Sequence, residues 1–345
     1  MQDTGPAKTV VQRHSVEFWY FLPLRAAWWI AVGLLIATSC SRELPTQPLE
    51  VAYVKEAGTV LRDPLGPDSR DVGRLELGES VEILAKRPFW VQVRSESGQI
   101  GWVQTRSLAS EEIVQQFRRL AAETEALPSQ GKAILRRESN LHVEPSRDSE
   151  IFYRLPESEE VDVLLHRAIR QTPSPAGAGD ETVSNGATAS PSSLEVQVQT
   201  HQDWMLVRAQ GEKTGWMLEN ALDMNPPVEI AQYREGLRIR AWFVLHREMA
   251  GGEEHPWYLW ATIRSRPGLP FDFDEIRVFV WNPSRSRYET SYRERGLIGI
   301  YPIRIGTRET PGGPSPTFTL ELEDETGKRF QKSYVMVGRQ VRQVS

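Results

Sequence analysis

One pattern, used twice, constrains this chain more than any other feature. Its first copy runs Phe89-Trp90-Val91-Gln92-Val93-Arg94, then Gly98-Gln99-Ile100-Gly101-Trp102-Val103, and closes on Leu108. Its second runs Trp204-Met205-Leu206-Val207-Arg208, then Gly211-Glu212-Lys213-Thr214-Gly215-Trp216-Met217, and closes on Leu222. The two tryptophans are twelve positions apart in each copy. β-Branched and aromatic residues alternate with polar ones, and glycine or charged residues fill the middle. Each copy therefore predicts a strand, a tight turn and a second strand. The glycine before the second tryptophan suits a site where another backbone or ring comes close.

The repeat extends upstream. The stretch 74–84, Arg-Leu-Glu-Leu-Gly-Glu-Ser-Val-Glu-Ile-Leu, aligns without gaps on 154–164, which puts Val81 on Val161 eighty residues later. The tryptophan halves lie 114 apart, so the second copy carries 34 extra residues between Leu164 and Trp204. An insertion inside a duplicated unit belongs in a surface loop, since each doubling of loop length costs only ~0.6 kcal/mol. Gln171 to Ser193 is rich in Pro, Ser, Gly, Ala and Thr with almost no large apolar side chain. Such a stretch cannot offset the entropy of ordering, and a disordered insertion over about 167–200 is expected. The alternating Leu194–Val198 would lengthen the hairpin that leads to Trp204.

Each copy resembles a bacterial SH3-like (SH3b) domain. Such domains open on a Leu-Asn-Val-Arg-type strand, continue through Gly-Glu-x-Val and Trp-x-x-Val strands, and end with Gly-x-x-Gly-Trp-Val near a Leu. The second copy opens as Asn140-Leu141-His142-Val143-Glu144-Pro145, the first as Val60-Leu61-Arg62-Asp63-Pro64. The resemblance covers residues 51–110 and 133–224 and implies two small barrels. It places Trp102 and Trp216 in the barrel cores. It makes Trp90 and Trp204 candidates for an aromatic-rimmed ligand groove of the kind SH3-like folds use for peptides. Exported SH3b domains are often associated with cell-wall peptides, so the resemblance implies peptidoglycan or an envelope protein as partner.

The N-terminal 39 residues read as an export signal or membrane anchor. Residues 26–39 carry no charge, and Lys8, Arg13 and Arg25 precede them. The run Leu35-Ile36-Ala37-Thr38-Ser39-Cys40 resembles a lipoprotein signal, which would make Cys40 the lipidated residue. The alternative is an uncleaved anchor, because the 22 residues 18–39 are long enough to span a bilayer. Arg25 in that span costs ~2.5–3.5 kcal/mol if central. Either reading exports the rest of the chain to the cell envelope, membrane-anchored and facing the periplasm or exterior.

Between the copies, Ser110 with Glu111 and Glu112 opens a helical stretch, with Ile113, Phe117, Leu120 and Leu127 near helical spacing. Pro128 to Gly131 stops it, giving a helical linker over 111–131. After Pro227 a third unit begins, 226–345. Leu237, Ile239, Ala241, Phe243 and Leu245 alternate with Arg238, Arg240, Trp242, Val244 and His246. Further candidate strands cover 258–263, 276–281, 317–323 and 330–337. With at least five strands and no long helical pattern, a β-sandwich-like domain is expected. The fold class is mostly β: two small barrels joined by a helix, then the sandwich.

Composition removes several chemistries. The single cysteine excludes an intramolecular disulfide framework, a Cys-cluster metal site and an NlpC-type cysteine nucleophile. His246 and His255 with Glu248, Glu253 and Glu254 fit no helical metal motif and read as a hairpin tip. Asp272, Asp274 and Glu275 lack the spacing of a dedicated Ca²⁺ loop. No cofactor is called for. The net charge of −5 argues against a general nucleic-acid binder. Charge is split, with net −9 over 40–224 and net +3 over 225–345. Arg285, Arg287, Arg293 and Arg295, interleaved with Tyr288 and Tyr292, form a candidate basic patch.

These readings converge on a non-enzymatic binding or scaffold protein of the envelope. A cell-wall hydrolase with its active site in the C-terminal domain, and a purely structural assembly subunit, stand as the alternatives.

Overall fold

The computed structural model describes residues 47–170, 201–264 and 268–344. The mostly-β expectation holds: nearly every ordered element is a strand. Cys40, residues 1–39 and Leu194–Val198 lie outside the described residues. Among the described residues no helix is long and apolar enough to cross a membrane.

The first barrel contains β1 (Glu50–Val54), β2 (Thr59–Asp63), β3 (Arg70–Leu75), β4 (Ser80–Arg87), β5 (Trp90–Ser95), β6 (Ile100–Gln104) and β7 (Leu108–Ser110). They pair antiparallel in the order β3-β2-β6-β5-β4-β1-β7. The second contains β8 (Lys132–Leu135), β9 (Ser139–His142), β10 (Ile151–Leu155), β11 (Glu160–Arg170), β12 (His201–Arg208), β13 (Thr214–Leu218) and β14 (Leu222–Met224). Its order, β10-β9-β13-β12-β11-β8-β14, is the same topology strand for strand. The duplication reaches single residues. Both copies carry a register shift at one leucine, Leu84 in β4 and Leu164 in β11, eighty positions apart. The insertion begins later than its composition suggests, because Arg167–Arg170 stay in β11, paired with β12 down to His201. Ladder hydrogen bonds override loop-like sequence there.

Alternation decides the two cores. In the first barrel Val81, Ile83, Val91, Val93 and Val103 point inward with Ala52, Val54, Leu61, Leu75 and Leu108, forming a cluster of their own. The second barrel's cluster does not stop at the barrel. It runs from Val161, Val163, Met205, Val207 and Met217 into the C-terminal sheet through Ala241, Leu259, Ile303 and Phe318.

Helix α1 (Glu111–Thr124) follows β7 directly. It buries Val114 and Phe117 against the second barrel, where the Phe117 ring meets Phe152 and Tyr153 at 6.1 and 5.4 Å. Its end is fixed from across the barrel: an Arg208 N–H donates to the Thr124 carbonyl at 2.7 Å, satisfying one of the orphan acceptors of a helix C-terminus.

The C-terminal region opens with the short α2 (Val228–Ala231). Then come β15 (Arg238–Ala250), β16 (Glu253–Ile263), β17 (Phe273–Asn282), β18 (Arg287–Thr310), β19 (Gly313–Glu323), β20 (Arg329–Val337) and β21 (Gln340–Val344). Where a β-sandwich-like domain is expected, these strands form one seven-stranded antiparallel sheet in sequential order. Register shifts in the β15–β16, β17–β18 and β18–β19 pairs mark where the long strands bend. The sheet curls over a core that includes Phe273, Phe318 and Tyr334. Its outer face near α2 holds a second cluster, Ile230, Tyr258, Trp260 and Phe279.

Gln130 locks this sheet to the second barrel. It is fully buried, and its side chain bonds both backbone groups of Ile303, accepting from the N–H at 2.8 Å and donating to the carbonyl at 3.4 Å. Its own carbonyl accepts from Trp242 N–H at 3.0 Å.

Candidate functional site

Period-2 alternation sets the tryptophans on the barrels' outer faces. Trp90 pairs with Gln104 and Gln92 with Trp102, so these four share the face opposite Val91 and Val103. In the second barrel Trp204 pairs with Leu218 and Leu206 with Trp216. Trp102 and Trp216 are buried, but neither belongs to its barrel's inward cluster, which corrects the expectation that they fill the cores. Trp216 instead joins Leu164, Trp204 and Leu206 in a satellite cluster, closed by Leu120 and Leu127 from α1 and the segment after it.

That covering also corrects the placement of Trp204 on a ligand groove. Trp204 is 1% exposed, with the His142 ring edge-on at 5.2 Å. Trp90 is partly exposed and borders solvent. Sequence explains the difference. Positions held by Leu206 and Leu218 in the second copy are Gln92 and Gln104 in the first, so one face asks for a cover and the other is content in water. Both copies keep a guanidinium over the second tryptophan: Arg87 lies 4.7 Å from the Trp102 ring and Arg167 5.2 Å from Trp216.

The glycine of each Gly-Trp pair is required by close approach, as its position suggested. A Cβ on Gly215 would come within 2.7 Å of Leu141 Cβ, and one on Gly101 within 3.1 Å of Leu61 Cβ and Val72 Cγ2.

The β4–β5 turn holds the most exposed large apolar side chain among the described residues. Phe89 is 85% exposed and adopts φ +66°, a left-handed conformation unusual for a bulky residue. Its carbonyl accepts from Thr105 N–H at 3.0 Å. Below it a cleft of about 470 Å³ opens toward Ala52, Ile83 and Val91.

A second centre, which sequence reasoning missed, lies between the second barrel and the C-terminal sheet. His166 stands between two carboxylates, with Nδ1 2.6 Å from Asp272 Oδ1 and Nε2 3.2 Å from Asp203 Oδ1. Asp203 also accepts from Gly268 N–H at 3.0 Å. Arg240, 1% exposed, reaches Glu219 at 2.5 Å, and Arg238 pairs with the same carboxylate at 3.3 Å. Asp272 accepts from the Tyr301 N–H at 2.5 Å. Three cationic side chains thus face three carboxyls in a nearly dry space. Burial disfavours the imidazolium, but the two aspartates outweigh it and raise His166 above its ordinary value. Burial opposes Asp203 too, yet its contact with His166 and the nearby Arg240 charge hold it down to about 2. Glu219 is raised, chiefly by burial, against the pull of Arg240 and Arg238. A cleft of about 350 Å³ reaches this group from outside, lined by Asp203, Glu219, His201 and Arg238. Donor atoms of His166, Asp203 and Glu219 lie within 4.8 Å of one another, as a cation would need. The Arg240 guanidinium already supplies the positive charge there.

The remaining sequence candidates disperse. The four arginines of the basic patch form two groups. Arg285 and Arg287 converge on Glu289, which they and Asn282 hold at about 2. Arg293 and Arg295 both bond the buried Glu275. The four arginines therefore do not form one patch: each pair shares a single glutamate, and Arg285, Arg287 and Arg295 stay exposed. His255 stacks on Trp281 at 4.0 Å, and His246 lies edge-on to Trp257. Asp274 accepts from Arg264 N–H, away from Asp272 and its histidine.

Two family models match the chain. Residues 65–109 match the bacterial SH3 domain, and residues 177–223 match the GW (Gly-Tryp) dipeptide domain, which takes in Gly215-Trp216. The C-terminal domain matches none. Domains of these two kinds bind cell-wall components and are typical of cell-envelope or extracellular proteins. No curated protein matches. Among solved structures, NlpC2 from Trichomonas vaginalis is similar at 13% identity, covering 86% of this chain and 98% of that one, with a TM-score of 0.16. NlpC1 from the same organism is similar at 14% identity, covering 86% and 91%, again with a TM-score of 0.16. Superpositions that loose carry no argument about fold or activity.

Proposed function

We propose that this chain is an exported envelope protein whose first barrel is the binding module and whose second barrel is a structural one. The membrane holds it through a lipid on Cys40 or through the apolar run 18–39. The face bearing Trp90, Arg87, Gln92 and Gln104 meets peptidoglycan or an envelope protein. The observation that carries this reading is the asymmetry of the duplicated fold. The tryptophan face is covered by α1 in the second copy, whereas in the first Trp102 is buried beneath Arg87 and Trp90, Gln92 and Gln104 stay partly exposed. An aromatic ring, two amides and a guanidinium on one half-exposed sheet suit a ligand with amide and sugar groups, offering stacking and hydrogen bonds together. The test is co-sedimentation of the full chain with purified sacculi. The expected result is saturable binding reduced about tenfold or more by Trp90→Ala, a substitution at a partly exposed site that leaves the fold intact. Undiminished binding by that variant would refute the assignment.

A second reading, a wall hydrolase, has one observation in its favour. Asp203 and Glu219 adjoin a cleft and are driven apart in proton affinity, as a base and an acid would be. Fragments released from the same sacculi by the wild type and not by Glu219→Gln would support it.

A further inference from the structure

We propose that the Pro88–Phe89 tip of the first barrel inserts into the interfacial layer of the lipid bilayer, an inference that rests on the reading that the N-terminal segment holds this chain at a membrane. Phe89 is exposed to 85% and sits at φ +66°, where glycine or asparagine is the ordinary choice. Its ring gains little contact within its own barrel and its backbone carries a conformational cost, so nothing internal to the fold accounts for a phenylalanine here.

The geometry points to the occupant. β1 runs antiparallel to β4 with Glu50 opposite Ile83, and Lys86 pairs with Glu50 at 2.7 Å. The chain therefore enters the barrel at the end where β4 turns into β5. Leu49, just before β1, is 62% exposed at that end. Glu50 lies ten positions after Cys40. Fully extended, that stretch spans at most ~33–36 Å, which keeps this end of the barrel within reach of the bilayer on either anchoring reading. Charge does not select the surface. Exposed Lys86, Arg87 and Arg106 near the tip are offset by Glu50, Glu111 and Glu112. The contact is then apolar, made by a ring at headgroup depth, and independent of anionic lipid.

The test uses the full chain reconstituted with vesicles of phosphatidylethanolamine and phosphatidylglycerol. A benzophenone amino acid replaces Phe89 in one sample and Ser97, in the turn at the opposite end of β5, in another. After flotation and irradiation, lipid adducts are expected at position 89 and not at 97, with a yield unchanged by 0.5 M salt or by omitting phosphatidylglycerol. A chain that floats with the vesicles but forms no lipid adduct at 89, forms equal adducts at both positions, or crosslinks at 89 only to protein overturns the insertion while leaving the anchoring intact. A chain that does not float overturns both.

Discussion

Phe89, Gly215 and His166 each make a claim that one substitution can test. A non-glycine residue in the left-handed region costs ~1–2 kcal/mol, and glycine's extra freedom in the unfolded chain returns ~0.5–1 of it. Phe89→Gly should therefore leave stability unchanged or raise it by up to ~1 kcal/mol in urea unfolding, although it deletes an aromatic ring. A loss above ~2 kcal/mol would mean that the ring packs internally. Gly215→Ala should cost ~1–3 kcal/mol through overpacking against Leu141, and Gly101→Ala less, in keeping with the longer approach to Leu61. Equal costs in thermal unfolding would contradict that ranking. His166 is raised in the folded state, so its contribution is fully present below its unfolded value of about 6.5 and is lost as pH rises through the folded value. Asp203 is lowered, so its contribution is present above its ordinary carboxylate value and lost as pH falls toward about 2. The melting temperature should then decline as pH rises above about 6.5. In His166→Gln it should be lower at pH 6 and flatter from pH 6 to 9. An unchanged decline in that variant would locate the pH dependence elsewhere.

At the level of elements, the hairpins were legible because strand alternation and the Gly-Trp spacing are local signals, and because a duplicated sequence reports the same fold twice. Which tryptophan faces water was not read from the ring residues, though the signal lay two positions away. Gln92 and Gln104 mark a wet face, and Leu206 and Leu218 a dry one waiting for a helix. The charged centre had no local signature. His166, Asp203, Glu219, Arg240 and Asp272 come from well-separated parts of the chain, and Arg240 sits on the alternate positions that read as a polar face. That the C-terminal strands share one sheet was not legible for a related reason, since bends inside one long sheet leave no mark that separates them from a break between two. The cover itself is testable. Leu206→Gln with Leu218→Gln gives the second copy the first copy's polar pair and should loosen α1. The expected sign is faster amide exchange over Ile113–Thr124. Unchanged exchange there would mean that the helix is held by Val114 and Phe117 alone.

Across the whole molecule, the first barrel has a core of its own, whereas the second shares one with the C-terminal sheet and is tied to it by Gln130 and the His166 network. Native-state hydrogen exchange should resolve two opening free energies, a lower one for β2–β6 and a common higher one for β11–β13 and β16–β19. A single value for all core amides would contradict that division. The division also frames the functional proposal, with a rigid body of barrel and sheet carrying a binding barrel beside it. The most direct measurement of that claim is the exchange footprint of the full chain with soluble peptidoglycan fragments. The account predicts protection confined to Arg87, Trp90–Gln92 and Trp102–Gln104 of the first copy. Protection at Trp204–Leu218 of the second, or none in either barrel, would contradict it.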